Sequence, residues 1–211
     1  MDIKRLFPLA GIAFVALVVL TLVVGGSTPG SSDPTAEIAS FYDQNEVRQF
    51  ITSFAFAATV PFLIMFAVGL VRTAGEDRSA LWGQVAIAGA ILAGGVILMT
   101  AAIHFALLDT ANQDEVAQEA LAALISLEGS TWLAYNAGFG VMMLGAAGVL
   151  LAGSGGRQWL GWIALVLGIA LFIPVADFVA LLAMLLWILV ASVVQGRALR
   201  TTSTASPAPA L

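Results

Sequence analysis

The sequence predicts an all-α integral membrane protein, a six-helix bundle with two short amphipathic helices on its extracytoplasmic side. Three observations carry that expectation. The chain is 60% hydrophobic and only 10% charged, with a mean hydropathy of +1.00, a balance found in multi-span membrane proteins and not in water-soluble domains. Its apolar residues fall in runs long enough for helices to cross the ~30 Å hydrocarbon layer. Between the runs, basic and acidic residues separate by side, as threading through a membrane requires.

Lys4 and Arg5 precede the first apolar run, 7–24, which ends at Gly25-Gly26. A signal peptide has the same charge pattern. The run is longer than a signal core, however, and no A-x-A cleavage pattern follows, which favours an uncleaved span. Residues 27–35, STPGSSDPT, carry turn chemistry, and Asp33 before Pro34 is placed to cap a helix. The segment TAEIASFYDQNEVRQF then spaces Ile38, Phe41 and Tyr42 along one side, the pattern of a helix lying at the membrane surface. Asp43 and Glu46 have capping-box spacing for the next helix.

In the second span, 50–71, Pro61 leaves the Ala57 carbonyl without its helical partner and predicts a kink. RTAGEDRSA, 72–80, is a polar turn. The third span, 81–108, holds no charge other than the chain's only histidine, His104. Its Gly83, Ala86, Ala90, Gly94 and Ala101 lie at helical spacing and allow close approach, so this helix is expected in the interior. Residues 109–130 read as a second surface helix, with Val116, Ala120, Leu124 and Leu127 on one side. The fourth span, 131–151, carries its own stripe of Ala134, Gly138, Gly145, Gly148 and Ala152, and spans three and four should pack together.

The last apolar stretch, 159–194, is too long for one crossing and must fold back at IPVAD, 173–177. This makes 159–173 a short fifth span and 178–195 a sixth, with Asp177 as its cap. One transmembrane domain thus covers 1–200. Residues 201–211, TTSTASPAPAL, are expected to form a disordered cytoplasmic tail.

With six spans, seven of the eight Lys and Arg residues fall on one side (Lys4, Arg5, Arg72, Arg78, Arg157, Arg197 and Arg200), and only Arg48 falls on the other. Ten of the thirteen acids accompany Arg48. Short positive loops stay in the cytoplasm, so both chain ends are expected there, in a bacterial inner membrane.

Several chemistries are removed outright. No cysteine means no disulfide, thiol catalysis or iron–sulfur ligation. One histidine cannot supply a two-histidine haem or a helical zinc motif, leaving only a His/Met pair. Lys4, the only lysine, lies outside every run, so no intramembrane Schiff base forms. No phosphate loop, nucleophile elbow or HExxH pattern occurs, and no basic cluster points to nucleic acid. No Asp, Glu, Lys or Arg sits in the middle of a span, which argues against proton pumping. No metal and no cofactor are expected.

What remains gathers at the predicted outer mouth: Thr100, His104, Tyr135, Asn136 and Asp177. His104 reads either as a neutral imidazole bonded to a carbonyl, Asn136 or Tyr135, or as a ligand contact, or as a proton sensor. Asp177 reads as a plain cap or as an acid/base partner of His104. Trp132 and Trp159 read as interfacial belt residues. The segment IASFYDQNEVRQF leading into a phenylalanine-rich span, and the closing hairpin LFIPVADFVALL, resemble a loosely defined group of uncharacterised bacterial, mainly actinobacterial, small multi-span membrane proteins. The likeness covers most of the chain and implies no catalytic residue, cofactor or substrate.

The expected role is non-enzymatic, the binding or transport of a small apolar or amphipathic ligand or lipid at the mouth. The alternatives are an accessory subunit with a membrane-protein partner and, third, an enzyme using His104 and Asp177. The lipid bilayer is the partner common to all three.

Overall fold

Apolar sequence becomes helix here because a helix satisfies its own backbone hydrogen bonds where no water can. The computed structural model describes residues 6–74, 80–111, 118–153 and 156–204. Within them lie α1 (Leu6–Gly25), α2 (Thr35–Gln44), α3 (Glu46–Ala57), α4 (Thr59–Ala74), α5 (Ala80–Ala111), α6 (Gln118–Ala152), α7 (Gln158–Ala170) and α8 (Asp177–Thr204). Among these described residues, five helical paths are long and apolar enough to cross a membrane: α1, the α3–α4 pair, α5, α6 and α8. The chain is therefore all-α with five candidate spans. At ~1.5 Å per residue the thirteen residues of α7 reach only about 20 Å. Trp187 on α8 holds this short helix by donating its indole N–H to the Leu160 carbonyl at 3.0 Å.

Pro61 acts where its missing N–H predicts. The path interrupts at Ala58 between α3 and α4, and the Thr59 hydroxyl donates to the Phe56 carbonyl at 2.6 Å beside the break. The fold-back also falls at 171–176, between α7 and α8.

Helix boundaries differ from expectation in four places. Asp33 does not cap α2; its carboxylate instead accepts the Gly30 N–H at 2.8 Å, closing a turn, and Pro34 takes the cap position. No capping box forms at Asp43 and Glu46, because Asn45 precedes α3 and donates its amide back to the Phe41 carbonyl. The second surface helix is not a separate element, since α6 runs unbroken from Gln118 to Ala152. Val116 lies outside the described residues. Finally, α8 continues to Thr204, past the expected start of the tail at Thr201. Extending a formed helix needs only one more bond per residue, which small polar residues do not forbid.

The core packs α1, α4, α5, α6 and α8 around Phe14, Leu63, Phe66, Ile97, Met143 and Ile188. α5 and α6 meet most intimately. A Cβ on Gly89 would collide with the Met142 backbone, one on Gly145 with the Ala86 backbone, and one on Gly138 would lie 2.5 Å from the Ala93 nitrogen. Numbers fall along one helix as they rise along the other, so the pair is antiparallel with backbone against backbone. The predicted stripe on α5 is thereby divided: Gly83 faces Val71 and Gly94 faces Val60, both on α4, while Ala86, Gly89 and Ala93 face α6. α6, with 61% of its most apolar stretch buried against 44% for α5, is the more interior helix. Outward sides carry large apolar residues such as Leu9, Leu92, Trp162, Val166 and Leu186, consistent with contact with a lipid bilayer.

A second, smaller core closes one end of the bundle. Ile38 and Tyr42 of α2 rest on Leu107, Leu108 and Ala111 of α5 and on Leu121 and Ile125 of α6. Leu121 and Ile125 therefore form the packed side of the first turns of α6. Of the expected side, Leu124 is half-buried against this core, while Ala120 and Leu127 are exposed.

Candidate functional site

The site lies under α2, at the end of the bundle where α1 and α5 finish and α6 begins. α1 stops because Gly26 takes the left-handed conformation, φ +65°, which leaves the Gly25 carbonyl facing inward without a helical donor. Gln49 of α3 supplies one, its Nε2 donating to that carbonyl at 3.1 Å. This orients the amide. Gln49 Oε1 points the other way, to His104 Nε2 at 3.1 Å. On the opposite edge of the ring, His104 Nδ1 lies 2.7 Å from Glu128 Oε1.

These contacts fix the proton count. Because Gln49 Oε1 can only accept, His104 Nε2 carries a hydrogen. At 2.7 Å, Nδ1 and the carboxylate oxygen must also share a proton. Imidazolium with carboxylate and imidazole with carboxylic acid both satisfy this, and both leave the pair neutral. Glu128 Oε2 remains an acceptor in either form.

Tyr42 crosses the histidine edge-on, ring centroids 5.4 Å apart. Burial, and secondarily the charge of Glu128, pushes its phenol above its ordinary range, so it stays protonated. Its buried hydroxyl has no hydrogen-bond partner among the described residues. One turn deeper, Thr100 Oγ1 meets Thr131 Oγ1 at 3.0 Å, and Thr131 in turn donates to the Glu128 carbonyl at 2.7 Å. A cavity of about 180 Å³ opens here, lined by Thr21, Gln49, Ser53, Thr100, His104 and Glu128 among others.

A second polar group forms where α6 meets the start of α8. Asp177 Oδ2 accepts the Trp132 indole N–H at 2.6 Å and the Asn136 amide at 3.0 Å, and Oδ1 accepts the Phe178 N–H at 2.7 Å. Asp177 is thus more than a helix cap, and Trp132 is more than a belt residue, its ring also stacking on Phe178 at 6.1 Å. Asn136 Oδ1 is buried with no partner among the described residues. Beside this group lies an apolar cavity of about 230 Å³, walled by Phe14, Ile97, Tyr135, Phe139, Leu181 and Met184 among others. The two cavities share Thr21, Leu22 and Phe56.

Of the residues predicted from sequence, Thr100 and His104 line the polar cavity and Tyr135 lines the apolar one. Asn136 and Asp177 bond each other. Neither Asn136, Tyr135 nor a backbone carbonyl is the partner of His104; the side chains of Gln49 and Glu128 are, and no hydrogen bond joins His104 to Asp177 among the described residues. Sequence reasoning missed Gln49 and Glu128. A signal existed for each: Gln49 stands four residues before Ser53 on one side of α3, and Glu128 continues the spacing of Leu121 and Ile125.

The chain matches no family model, no curated protein and no solved structure.

Proposed function

We propose that this chain is a multi-pass protein of a bacterial cytoplasmic membrane, related to the actinobacterial group it resembles, that binds a small amphipathic molecule at its extracytoplasmic mouth without catalysing a reaction on it. The observation that carries this reading is the pairing of a polar cavity at Gln49, His104 and Glu128 with an apolar cavity that shares its walls. Sites for small ligands are concave and mostly apolar, with a few convergent polar groups. The uneven distribution of Lys and Arg supports both termini facing the cytoplasm, which puts the mouth outside.

Two observations favour binding over the alternatives. The small-residue faces that suggested an accessory subunit are occupied within the chain, since Gly89, Gly138 and Gly145 pack α5 against α6. An acid/base pair of His104 and Asp177 would need the two groups within about one water of each other, and each instead has its own partners.

Native mass spectrometry of the full chain released from lipid nanodiscs tests the binding reading. The natural sequence should retain a bound amphiphile at about one per chain, and Leu181→Trp, which fills the apolar cavity, should lose it. Equal retention by the variant would contradict the proposal.

A further inference from the structure

We infer that the occupant is a non-anionic amphiphile whose head donates hydrogen bonds, an alcohol or an amine, with the head against Glu128 and Thr21 and the apolar chain running between α1, α6 and α8. This rests on the binding reading above and adds to it an orientation and a head chemistry.

Around the polar cavity, Thr21 donates to the Val18 carbonyl, Thr52 to Arg48, Ser53 to Gln49 and Thr100 to Val96, at 2.7, 2.9, 2.9 and 2.9 Å. Each hydroxyl proton is therefore engaged within the protein, that of Thr100 between Val96 and Thr131, while each oxygen keeps lone pairs. His104 Nε2–H is taken by Gln49, and the Nδ1 proton by Glu128. What the walls offer a newcomer is mostly oxygen: Glu128 Oε2 and the hydroxyls of Thr21, Thr52 and Ser53, while Thr28 at the exposed loop edge is the lining hydroxyl whose proton is not engaged among the described residues. No lysine or arginine lines this cavity. Arg48 stands at the rim with its guanidinium over the Phe41 ring, 5.6 Å from the centroid.

A carboxylate, sulfate or phosphate head would face mostly acceptors and leave water for few replacement donors, Thr28 and Arg48 standing only at the edge, a penalty that separates ligands by selection against the wrong one. An alcohol or amine head finds acceptors on two sides. Thr21, Leu22 and Phe56, common to both cavities, mark where head gives way to chain. Beyond them the walls are aromatic and aliphatic: Phe14, Ile97, Phe139, Leu181, Met184 and Leu185.

The test measures saturable binding of radiolabelled dodecanol, dodecylamine and dodecanoate to the full chain in phosphatidylcholine nanodiscs, against empty nanodiscs. Dodecanol and dodecylamine should bind at least ~10-fold more tightly than dodecanoate. Equal affinity of those two would mean that donation alone decides, and a tighter amine that charge adds to it; either supports the inference. Thr21→Val should weaken dodecanol about fivefold and leave dodecanoate unchanged. Glu128→Gln, whose amide nitrogen can bond His104 Nδ1 while its oxygen still faces the cavity, should keep dodecanol ahead of dodecanoate. Dodecanoate binding as tightly as dodecanol, in the natural sequence or in Glu128→Gln, would overturn the head assignment while the binding reading stands. Saturable binding by none of the three would sink both.

Discussion

Gly145→Leu is expected to be the most damaging single substitution in the chain, destabilising the bundle by about 3 kcal/mol or more. A side chain there meets the Ala86 backbone, which cannot rotate aside as a flexible side chain would. The helices must separate, and the contacts of Gly89 with Met142 and of Gly138 with Ala93 open along with it. The control lies on the same two helices. Gly95 of α5 and Gly129 of α6 have open space where a Cβ would stand, so Gly95→Ala and Gly129→Ala should be neutral or stabilise by roughly 0.5–1 kcal/mol through helix propensity. Thermal unfolding in mild detergent separates these outcomes. Equal losses at Gly145 and Gly129 would contradict the α5–α6 packing.

His104→Ala should follow, at about 2 kcal/mol. The substitution leaves Gln49 Oε1 without its donor and Glu128 without its proton-sharing partner, and it removes the edge on which Tyr42 packs. The Glu128 side chain is 26% exposed, so water relieves part of the loss. Glu128→Gln should cost under about 1 kcal/mol, because an amide can donate to Nδ1 and keep the bond. The damage should be local: hydrogen exchange in α2 should rise in His104→Ala and stay near normal in Glu128→Gln. An unchanged melting temperature in His104→Ala, or equal effects of the two variants, would show that the trio does not hold this end of the bundle together.

Much of the fold was legible because apolar runs and prolines act locally. Pro61 removes one donor, and the helix interrupts beside it; Pro174 lies in a chain too long to cross once, and the reversal falls there. The second excursion misled for an equally physical reason. Glu128-Gly129-Ser130 reads as a stop, yet a glycine costs a helix only ~1 kcal/mol, and nothing in the fold requires a turn at that point. The helix continues, and Glu128 lies within it beside His104.

The candidate site was half legible. His104 stands out as the one ionisable group in its span, but its partners come from segments far away in sequence. Two helical faces of residues 118–130, one through Leu124 and Leu127 and one through Leu121 and Ile125, are both apolar. Periodicity could not choose between them. The packing of Ile38 and Tyr42 chooses the second, which turns Glu128 inward. Asp177 was placed correctly at the start of the last helix, while its bonds to Trp132 and Asn136 depend on how α6 and α8 meet.

The membrane threading, with the Glu128 mouth outside, is tested most directly by labelling introduced thiols, since the chain contains no cysteine of its own. Ser31→Cys lies in the exposed loop beside the polar cavity, and Gly156→Cys in the turn before α7. With intact spheroplasts and a membrane-impermeant maleimide, Ser31→Cys should label at once and Gly156→Cys only after permeabilisation. The reverse pattern, or equal labelling of both before permeabilisation, would contradict it.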